Sequence, residues 1–314
     1  MILKLLVLLV GAMLSITAMA GYDEGFAAYK KQDYASAFAE WKELADQGNV
    51  RAQYALALLF QHGQGVSQDY VEAAKLFRLA AEQEDSRAQW ELGYMYTFGQ
   101  GVPKDYAQAV KWIRKSANQG YSEAQCYLGQ VYLLGIVGEA QNSKESLFWY
   151  SKAAESGSAQ AQSILAHAYR NGNVSMDLAV DYQQALYWYE KSAASNDPDY
   201  SIFSANDLGE MYEAGLGVKK DYKRAAQLYL KGAQVGHITA QENIARLYRD
   251  GKGVQKNLVL AYAWLDIAVS SKRSVAVREK FVAERDNLGR VMTPKNIERA
   301  RELSIVWKPG MLLR

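Results

Sequence analysis

A two-part motif recurs along the sequence and constrains the fold more than any other feature. The pair Asp-Tyr recurs at 33–34, 69–70, 105–106, 181–182 and 221–222. A second motif, Gly-x-Gly-Val, begins at Gly63, Gly99, Gly215 and Gly251, with degenerate copies at 135–138 and 172–174. The two motifs stay in phase with a period of roughly 36 residues, which is the size of one helix pair in a solenoid protein.

Each repeat contains two helical patterns. The first, Ala-Gln-x-x-Leu-Gly/Ala-x-x-Tyr, places apolar residues on one face of a helix. The second follows Asp-Tyr and sets a bulky residue four positions before an alanine, as in Trp41/Ala45, Phe77/Ala81, Tyr150/Ala154, Tyr189/Ala193 and Tyr229/Ala233. The glycine between the patterns suits the left-handed end of the first helix, and the Asp suits the N-cap of the second.

These patterns predict an all-α fold, a right-handed α-α superhelix (solenoid) of stacked antiparallel helix pairs closed by a C-terminal helical cap. The predicted boundaries are 1–20 for a signal peptide, 21–271 for the repeat array and 272–314 for the cap. Thr293 and Pro294 are suited to the N-cap and first position of the last helix. A short insertion at 195–200 is expected to protrude from the stack.

The combined pattern, Ala-Gln-x-x-Leu-Gly-x-x-Tyr-x-x-Gly-x-Gly-Val-x-x-Asp-Tyr-x-x-Ala, resembles the Sel1-like repeat family, a relative of the tetratricopeptide repeats. Near residue 139 the Asp-Tyr pair is replaced by Gln141-Asn142-Ser143. One branch of the family, which has disulfide-linked repeats, is associated with penicillin binding and β-lactam hydrolysis. That activity is not transferred here, because the chain contains one cysteine, Cys126, and one cysteine cannot form an intrachain disulfide.

The first twenty residues resemble a secretory signal peptide. Lys4 precedes an apolar run from Leu5 to Val10, and Ala18-Met19-Ala20 fits a cleavage site before Gly21. An uncleaved membrane anchor is the alternative interpretation, because the segment is nearly long enough to span a bilayer. No comparable apolar run follows, so no membrane span is expected after cleavage. The sequence therefore predicts a periplasmic or secreted protein.

The composition and motifs of the chain argue against several classes of function. The 36 basic and 34 acidic residues give a formal charge of +2, without the clustered basic charge of a nucleic-acid-binding protein. The three histidines, at 62, 167 and 237, lie in different repeats, so neither a metal site nor a cofactor is expected. The G-x-S-x-G motif of many hydrolases is missing from the sequence. The chain is therefore predicted to be non-enzymatic.

In the related tetratricopeptide fold, the first helix of each pair lines a concave partner-binding surface. The corresponding positions here are aromatic in the N-terminal half, at Tyr54, Trp90, Tyr94 and Tyr127. In the C-terminal half they are polar, at His167, Arg170, Glu210, Glu213, Arg246 and Arg249. Aromatic residues with arginine are typical of interface hot spots, which favours an unidentified protein or peptide partner in the cell envelope.

Three alternatives to a protein-binding surface are compatible with the sequence. The aromatic residues suit a glycan or a role in polysaccharide assembly equally well. A cell-wall hydrolase would require a polar cluster with a perturbed pKa. The aromatic rings would have no binding role if they only pack against neighbouring helices.

Overall fold

A computed structural model describes residues 21–270 and 275–313. The predicted signal peptide, residues 1–20, lies outside the described residues, and the predicted boundary between array and cap falls at residues 271–274, which are also outside them. The described residues divide into two compact units, one ending at Ser156 and one starting at Gly157.

The first unit consists of four helix pairs. Their helices are α1 (residues 21–30), α2 (Tyr34–Asp46), α3 (Val50–His62), α4 (Tyr70–Glu82), α5 (Ser86–Phe98), α6 (Tyr106–Asn118), α7 (Ser122–Leu134) and α8 (Ser143–Glu155). Consecutive helices from α2 to α8 pack against one another along the unit. Buried alanines alternate with large side chains such as Phe77 and Ile113 in its core.

The second unit consists of three helix pairs and two further helices. They are α9 (Ala159–Asn171), α10 (Tyr182–Ala193), α11 (Pro198–Ala214), α12 (Tyr222–Gln234), α13 (Ile238–Asp250), α14 (Leu258–Ser270), α15 (Val275–Gly289) and α16 (Pro294–Val306). Over the described residues no β-strand forms, and one isolated bridge joins Asn173 to Leu178. The prediction of an all-α fold of packed helix pairs is confirmed.

Small residues on the first helix of a pair allow the second helix to approach closely. A methyl group added to Gly93 on α5 would lie 2.5 Å from Cγ1 of Ile113 on α6. The same addition to Gly129 on α7 would lie 2.7 Å from the ring of Tyr150 on α8. A methyl group at either of these two positions would force the helices apart, which explains why these two pairs have Gly at this position of the motif.

The loops between paired helices follow the predicted capping chemistry. Asp69, for example, accepts hydrogen bonds from the backbone N–H groups of Val71 and Glu72 at 2.9 and 3.0 Å. Gly99 ends α5 in the left-handed conformation, with φ at +72°. The Asp residues of the five Asp-Tyr pairs that recur with the motif occupy N-caps, at Asp33, Asp69, Asp105, Asp181 and Asp221.

Glutamine side chains connect successive pairs in the first unit. The Gln of each Ala-Gln motif donates to a carbonyl of the preceding second helix, as Gln89 does to Ala81 at 3.1 Å and Gln125 to Ala117 at 3.0 Å. Within each pair, the glutamine at the C-cap of the second helix then donates a hydrogen bond to the motif Gln on the first helix. Two such bonds are formed, Gln83 to Gln53 at 2.9 Å and Gln119 to Gln89 at 2.8 Å.

The insertion at 195–200 does not form the protruding loop that the sequence suggested. Asp197 caps a helix by accepting from the N–H groups of Asp199 and Tyr200, and Pro198 occupies the first helical position. Proline at this position is favourable because its missing N–H would have no partner there. The inserted residues therefore extend α11, which is 17 residues long against 13 for most of the other helices.

The last two helices cover the end of the second unit. The α16 helix begins as predicted, with Thr293 accepting a hydrogen bond from the N–H of Asn296 and Pro294 at its first position. The Trp307 ring packs edge-on against Trp264 of α14, with ring centroids 5.9 Å apart. Between α2 and α16, no described helix is both long enough and apolar enough to cross a membrane.

Candidate binding surfaces on the first helices

All ten predicted site residues lie on the first helices of their pairs. Tyr54 is on α3, Trp90 and Tyr94 are on α5, and Tyr127 is on α7, all within the first unit. The six polar residues are on α9, α11 and α13 of the second unit. The structure therefore presents two separate sets, one aromatic and one polar, and their environments differ.

Four aromatic rings of the first unit form a contiguous group, here called the aromatic cluster: Trp90, Tyr94, Phe98 and Tyr127. Trp90 packs edge-on against Tyr127 with centroids 5.4 Å apart, and it lies 5.8 Å from Tyr94. Tyr94 in turn lies 4.5 Å from Phe98. Trp90, Tyr94 and Tyr127 are half-buried, whereas Phe98 is 54% exposed.

Phe98 was not among the predicted site residues. It is the last residue of α5 and falls outside the positions that line the tetratricopeptide surface. The signal for it was the spacing of four residues from Tyr94, which places both rings on one side of the helix. Phe98 extends the aromatic cluster into solvent.

Tyr54 belongs to a different environment. Its ring packs on Phe77 of α4 at 5.7 Å, and the Arg87 guanidinium lies over it at 4.3 Å. Arg87 is also paired with Asp85 at 2.6 Å. Burial raises the pKa of the Tyr54 hydroxyl well above its usual range. These contacts place Tyr54 in the packing between helix pairs rather than in the aromatic cluster.

A carboxyl group lies next to Trp90 in sequence and is largely enclosed. Glu91 accepts a long hydrogen bond from Nε2 of Gln61 at 3.5 Å. Burial raises the pKa of Glu91 above its ordinary value, since this amide contributes less than the lost hydration. Burial likewise raises the pKa of Tyr121, to about 12.

The polar residues of the second unit bond mainly with one another. Arg170 on α9 donates to Glu210 on α11 at 2.7 Å and lies 3.9 Å from Asp207. Nδ2 of Asn206 reaches Glu210 at 3.3 Å, and Asn206 accepts in turn from Asn243 on α13 at 3.1 Å. The bonds form a continuous network across three successive first helices.

The network ends at a charge pair between α13 and α11. Arg246 binds Glu213 with both terminal guanidinium nitrogens, one of which lies 2.8 Å from Oε2. The Tyr229 hydroxyl of α12 donates to the same oxygen at 2.9 Å. Burial alone would raise the pKa of Glu213, but the bonds from Arg246 and Tyr229 outweigh it and hold the pKa below its ordinary value.

Asp207 behaves in the opposite way to Glu213. Burial raises the pKa of Asp207, and the nearby Glu210 carboxylate raises it further. The attraction of Arg170, 3.9 Å away, does not offset these two effects. The network therefore contains one carboxyl group that loses its proton readily and one that retains it to a higher pH.

Two of the predicted polar residues lie at the edge of this network. His167 is exposed, and its ring contacts Asn171 one helical turn further on. Arg249 is bonded to its neighbour Asp250 at 2.7 Å. Arg249 also lines, with Arg246, a small cavity of about 60 Å³. Neither His167 nor Arg249 bonds to the Arg170–Glu210 pair.

The described residues hold no cluster of three or more His, Cys, Asp or Glu side chains arranged to bind a metal ion. Cys126 is buried in α7. The two surfaces consequently offer aromatic contact area in the first unit and a set of mutually paired charges in the second.

Comparison with known proteins agrees with the repeat pattern. A family model described as the Sel1 repeat matches six segments, at 50–85, 86–121, 122–158, 159–197, 202–237 and 238–271. These segments correspond to the six pairs from α3/α4 to α13/α14. None of the curated proteins matches the chain.

Two solved structures are similar over most of the chain. One is a Sel1 repeat protein from Oxalobacter formigenes, with 29% identity, a TM-score of 0.66 and coverage of 79% of this chain and 98% of that one. The other is a protective antigen of uropathogenic Escherichia coli that displays an SLR fold, with 28% identity and a TM-score of 0.56. That match covers 91% of this chain and 68% of the antigen.

Proposed function

The chain belongs to the Sel1 repeat family, whose members are typically protein-interaction scaffolds, and on that basis we propose that it is a non-enzymatic scaffold or regulator that holds a partner protein in the cell envelope. The partner binds at the aromatic cluster of the first unit. The observation that carries this proposal is the continuous contact of four aromatic rings, from half-buried Trp90 to exposed Phe98.

The geometry of the aromatic cluster suits a hot spot. Its inner rings are held in place by ring-to-ring contacts, so little side-chain entropy is lost when a partner covers them. Tyrosine and tryptophan supply a large apolar area together with a polar group that bonds at the rim. A protein or peptide side chain packed against Tyr94 and Phe98 would complete the burial of rings that are now partly in water.

The polar network has a different role in this proposal. Arg170, Glu210, Glu213 and Arg246 already pair with one another, and separating them to bind a partner would cost the bonds they now make. We propose that these four residues hold α9, α11 and α13 together. Of the ten residues that the sequence selected, Trp90, Tyr94 and Tyr127 are therefore the proposed partner contacts.

Export is the second part of the proposal and rests on residues 1–20. The charged start, the apolar run and Ala18-Met19-Ala20 support secretion with cleavage before Gly21. A location outside the cytoplasm also suits the similarity to a protective antigen. Intact-mass measurement of the protein from periplasmic and culture fractions tests this directly. A mature chain that starts at Gly21 is expected, and an intact N-terminus in the membrane fraction would contradict it.

Loss of binding in variants tests the aromatic cluster. Tyr94→Ala combined with Phe98→Ala is expected to abolish co-purification of the envelope partner. The matched control is Phe148→Ala, which removes a 49% exposed ring from the second helix α8 of the same unit. Thermal denaturation of each variant is measured in parallel. Loss of binding accompanied by an equal loss of folding would contradict a binding role.

A glycan ligand is the second candidate, favoured by the same aromatic rings, because sugars stack on exposed aromatic faces. A glycan array distinguishes the two candidates. Binding to a defined glycan that is lost in the Tyr94→Ala, Phe98→Ala variant would favour the glycan. Binding to protein with no glycan signal would favour the scaffold.

A further inference from the structure

A second surface of the first unit lies on a second helix, away from the aromatic cluster. It is an open groove of about 610 Å³ between α6 and the loop that joins α7 to α8. Its floor is apolar and includes Ala107, Val110 and Val137. Its remaining walls carry the Tyr106 ring and the charged side chains Lys111, Arg114, Lys115 and Glu139.

The groove exists because this loop departs from the repeat pattern. In a regular loop, the second glycine of Gly-x-Gly presses on the start of the preceding second helix: a methyl group added to Gly101 would lie 1.9 Å from the Tyr70 carbonyl oxygen. For Gly253 the distance to the Tyr222 carbonyl oxygen is 2.0 Å. In the altered loop, the position thirty-six residues after Gly101 is held by Val137, whose φ of +57° is likewise left-handed and which carries a side chain. A methyl group added to the next residue, Gly138, would have Cβ of Tyr106 as its nearest neighbour, 3.6 Å away. The loop without Asp-Tyr therefore leaves space beside α6.

Helix α6 supplies the charge of the groove. It carries three basic residues and no acidic residue. Arg114 is oriented by the Tyr132 hydroxyl, to which it donates, and by Glu139 at 3.2 Å. Lys115 reaches Glu84 only at 3.7 Å, and Lys111 forms no ion pair among the described residues. Three cations thus face one carboxylate within the groove lining.

This concentration of positive charge contrasts with the rest of the first unit. Residues 21–156 contain seventeen acidic and thirteen basic residues, so the unit is acidic as a whole. The groove is therefore a local positive patch on a negatively charged unit. The positive groove attracts a negatively charged ligand, whereas the acidic surface of the rest of the unit repels it.

We propose that this groove binds an acidic peptide segment of a partner protein, in which carboxylates flank an apolar side chain. Lys111, Arg114 and Lys115 bind the carboxylates, with Arg114 held ready for a two-pronged contact. The apolar side chain lies on Val110 and Val137. This floor gives no favourable contact to a bare phosphate or sulfate, which is why a peptide fits the groove better than a small anion does.

The probe for this proposal is a fluorescein-labelled peptide, Gly-Ser-Glu-Asp-Phe-Glu-Asp-Leu-Gly-Ser. Its control has Gln and Asn in place of Glu and Asp. The fluorescence anisotropy of the labelled peptide is expected to rise as the full chain is added. The affinity of the acidic peptide is expected to fall as salt is added. The control peptide is expected to bind at least about tenfold more weakly, since it lacks the charges.

Two variants locate the site. Lys111→Glu with Lys115→Glu is expected to weaken acidic-peptide binding by at least about tenfold. Ala107→Trp fills the groove without changing its charge and is expected to weaken binding to a similar degree. The matched control is Lys219→Glu with Lys223→Glu, an equal charge change on exposed lysines of the second unit, which is expected to leave the affinity within about twofold.

Three results would overturn the proposal. The first is equal binding of the acidic and the amide peptides. The second is an unchanged affinity in both the charge-reversal variant and Ala107→Trp. The third is binding to vesicles of phosphatidylglycerol and phosphatidylcholine, sensitive to the same variants, with no peptide binding, which would assign the groove to a lipid headgroup. None of these results bears on the aromatic cluster, which is tested by its own variants.

Discussion

At the scale of single residues, two glycines of one loop have the same backbone conformation but different surroundings. Gly99 and Gly101 have φ at +72° and +68°. A methyl group added to Gly99 would have 3.4 Å to its nearest neighbour, whereas at Gly101 it would meet the Tyr70 carbonyl at 1.9 Å. Comparing the two glycines therefore separates the free-energy cost of a left-handed backbone from the cost of a steric clash with the start of α4.

Gly99→Ala is expected to lower the free energy of unfolding by about 1–2 kcal/mol, which is the cost of the left-handed conformation for a residue with a Cβ. Gly101→Ala is expected to cost about 1–3 kcal/mol more, because α4 and the loop must move apart. Urea denaturation of both variants measures the difference. Equal destabilisation would show that the loop tolerates a side chain at Gly101.

The pair of Arg246 and Glu213 gives a prediction that depends on pH. Because the pKa of Glu213 is held below its ordinary value, the pair stabilises the fold at neutral pH. The stabilisation is lost as pH falls through the folded-state pKa and the carboxylate takes up a proton. Arg246→Met would leave a mostly buried carboxylate without its main partner, at a cost of about 1–3 kcal/mol near neutral pH.

This cost is expected to shrink at about pH 3.5, where Glu213 becomes protonated in the variant. The matched control is Arg249→Met, which removes an arginine whose one ion pair within the described part of the chain is with exposed Asp250, and it is expected to cost less than about 1 kcal/mol. Urea denaturation at the two pH values measures both variants. A loss for Arg246→Met that is independent of pH, or no larger than the control, would contradict the role of the pair.

At the scale of helices and loops, the bond between the C-cap residue and the motif glutamine is missing in the last helix pair of the first unit. Oε1 of Gln125 is buried and has no hydrogen-bond donor among the described residues. Its counterparts Gln53 and Gln89 accept from the C-cap residues Gln83 and Gln119. The corresponding C-cap residue of α8 is Ser156, whose side chain ends in a hydroxyl at Cβ and lacks the Cγ methylene and the terminal amide of glutamine.

Ser156→Gln is expected to complete this series and raise the free energy of unfolding by about 1 kcal/mol, since the new amide satisfies a buried acceptor. The backbone is already suitable, because φ and ψ at Ser156 are −75° and 2° against −82° and 0° at Gln119. Ser156→Glu is the control of equal length, since a carboxylate cannot donate. Equal stabilisation by both substitutions, measured by thermal denaturation, would contradict the bond.

Most of the elements were predictable from local sequence signals. Asp N-caps, left-handed glycines and the four-residue spacing of bulky residues and alanines each depend on a few neighbouring residues, and they set the helix boundaries. The insertion at 195–200 was misjudged because its polar residues suggested a loop, whereas Asp197 and Pro198 start a longer helix. The departure of the loop near residue 139 from the motif is visible in the sequence, but the groove beside α6 depends on how that loop packs against a helix distant in sequence, which the motif does not record.

At the scale of the whole molecule, the sequence placed the site residues on the correct helices but could not show how they interact. The positions of Trp90, Tyr94 and Tyr127 follow from the repeat, and the structure brings them together. Arg170 and Glu210 lie forty residues apart in sequence, and their bond depends on how α9 packs with α11. Periodicity identifies which face a side chain occupies, whereas pairing is decided by packing between helices.

The proposed function depends on the aromatic cluster being a partner-binding surface. The most direct measurement is photocrosslinking in the living cell from an unnatural amino acid placed at Phe98, with Phe148 as the control position. A single envelope protein is expected to crosslink at Phe98 and not at Phe148, and Trp90→Ala is expected to remove the crosslink while the chain remains folded. Absence of any crosslink at Phe98, or the same crosslink at both positions, would contradict the account.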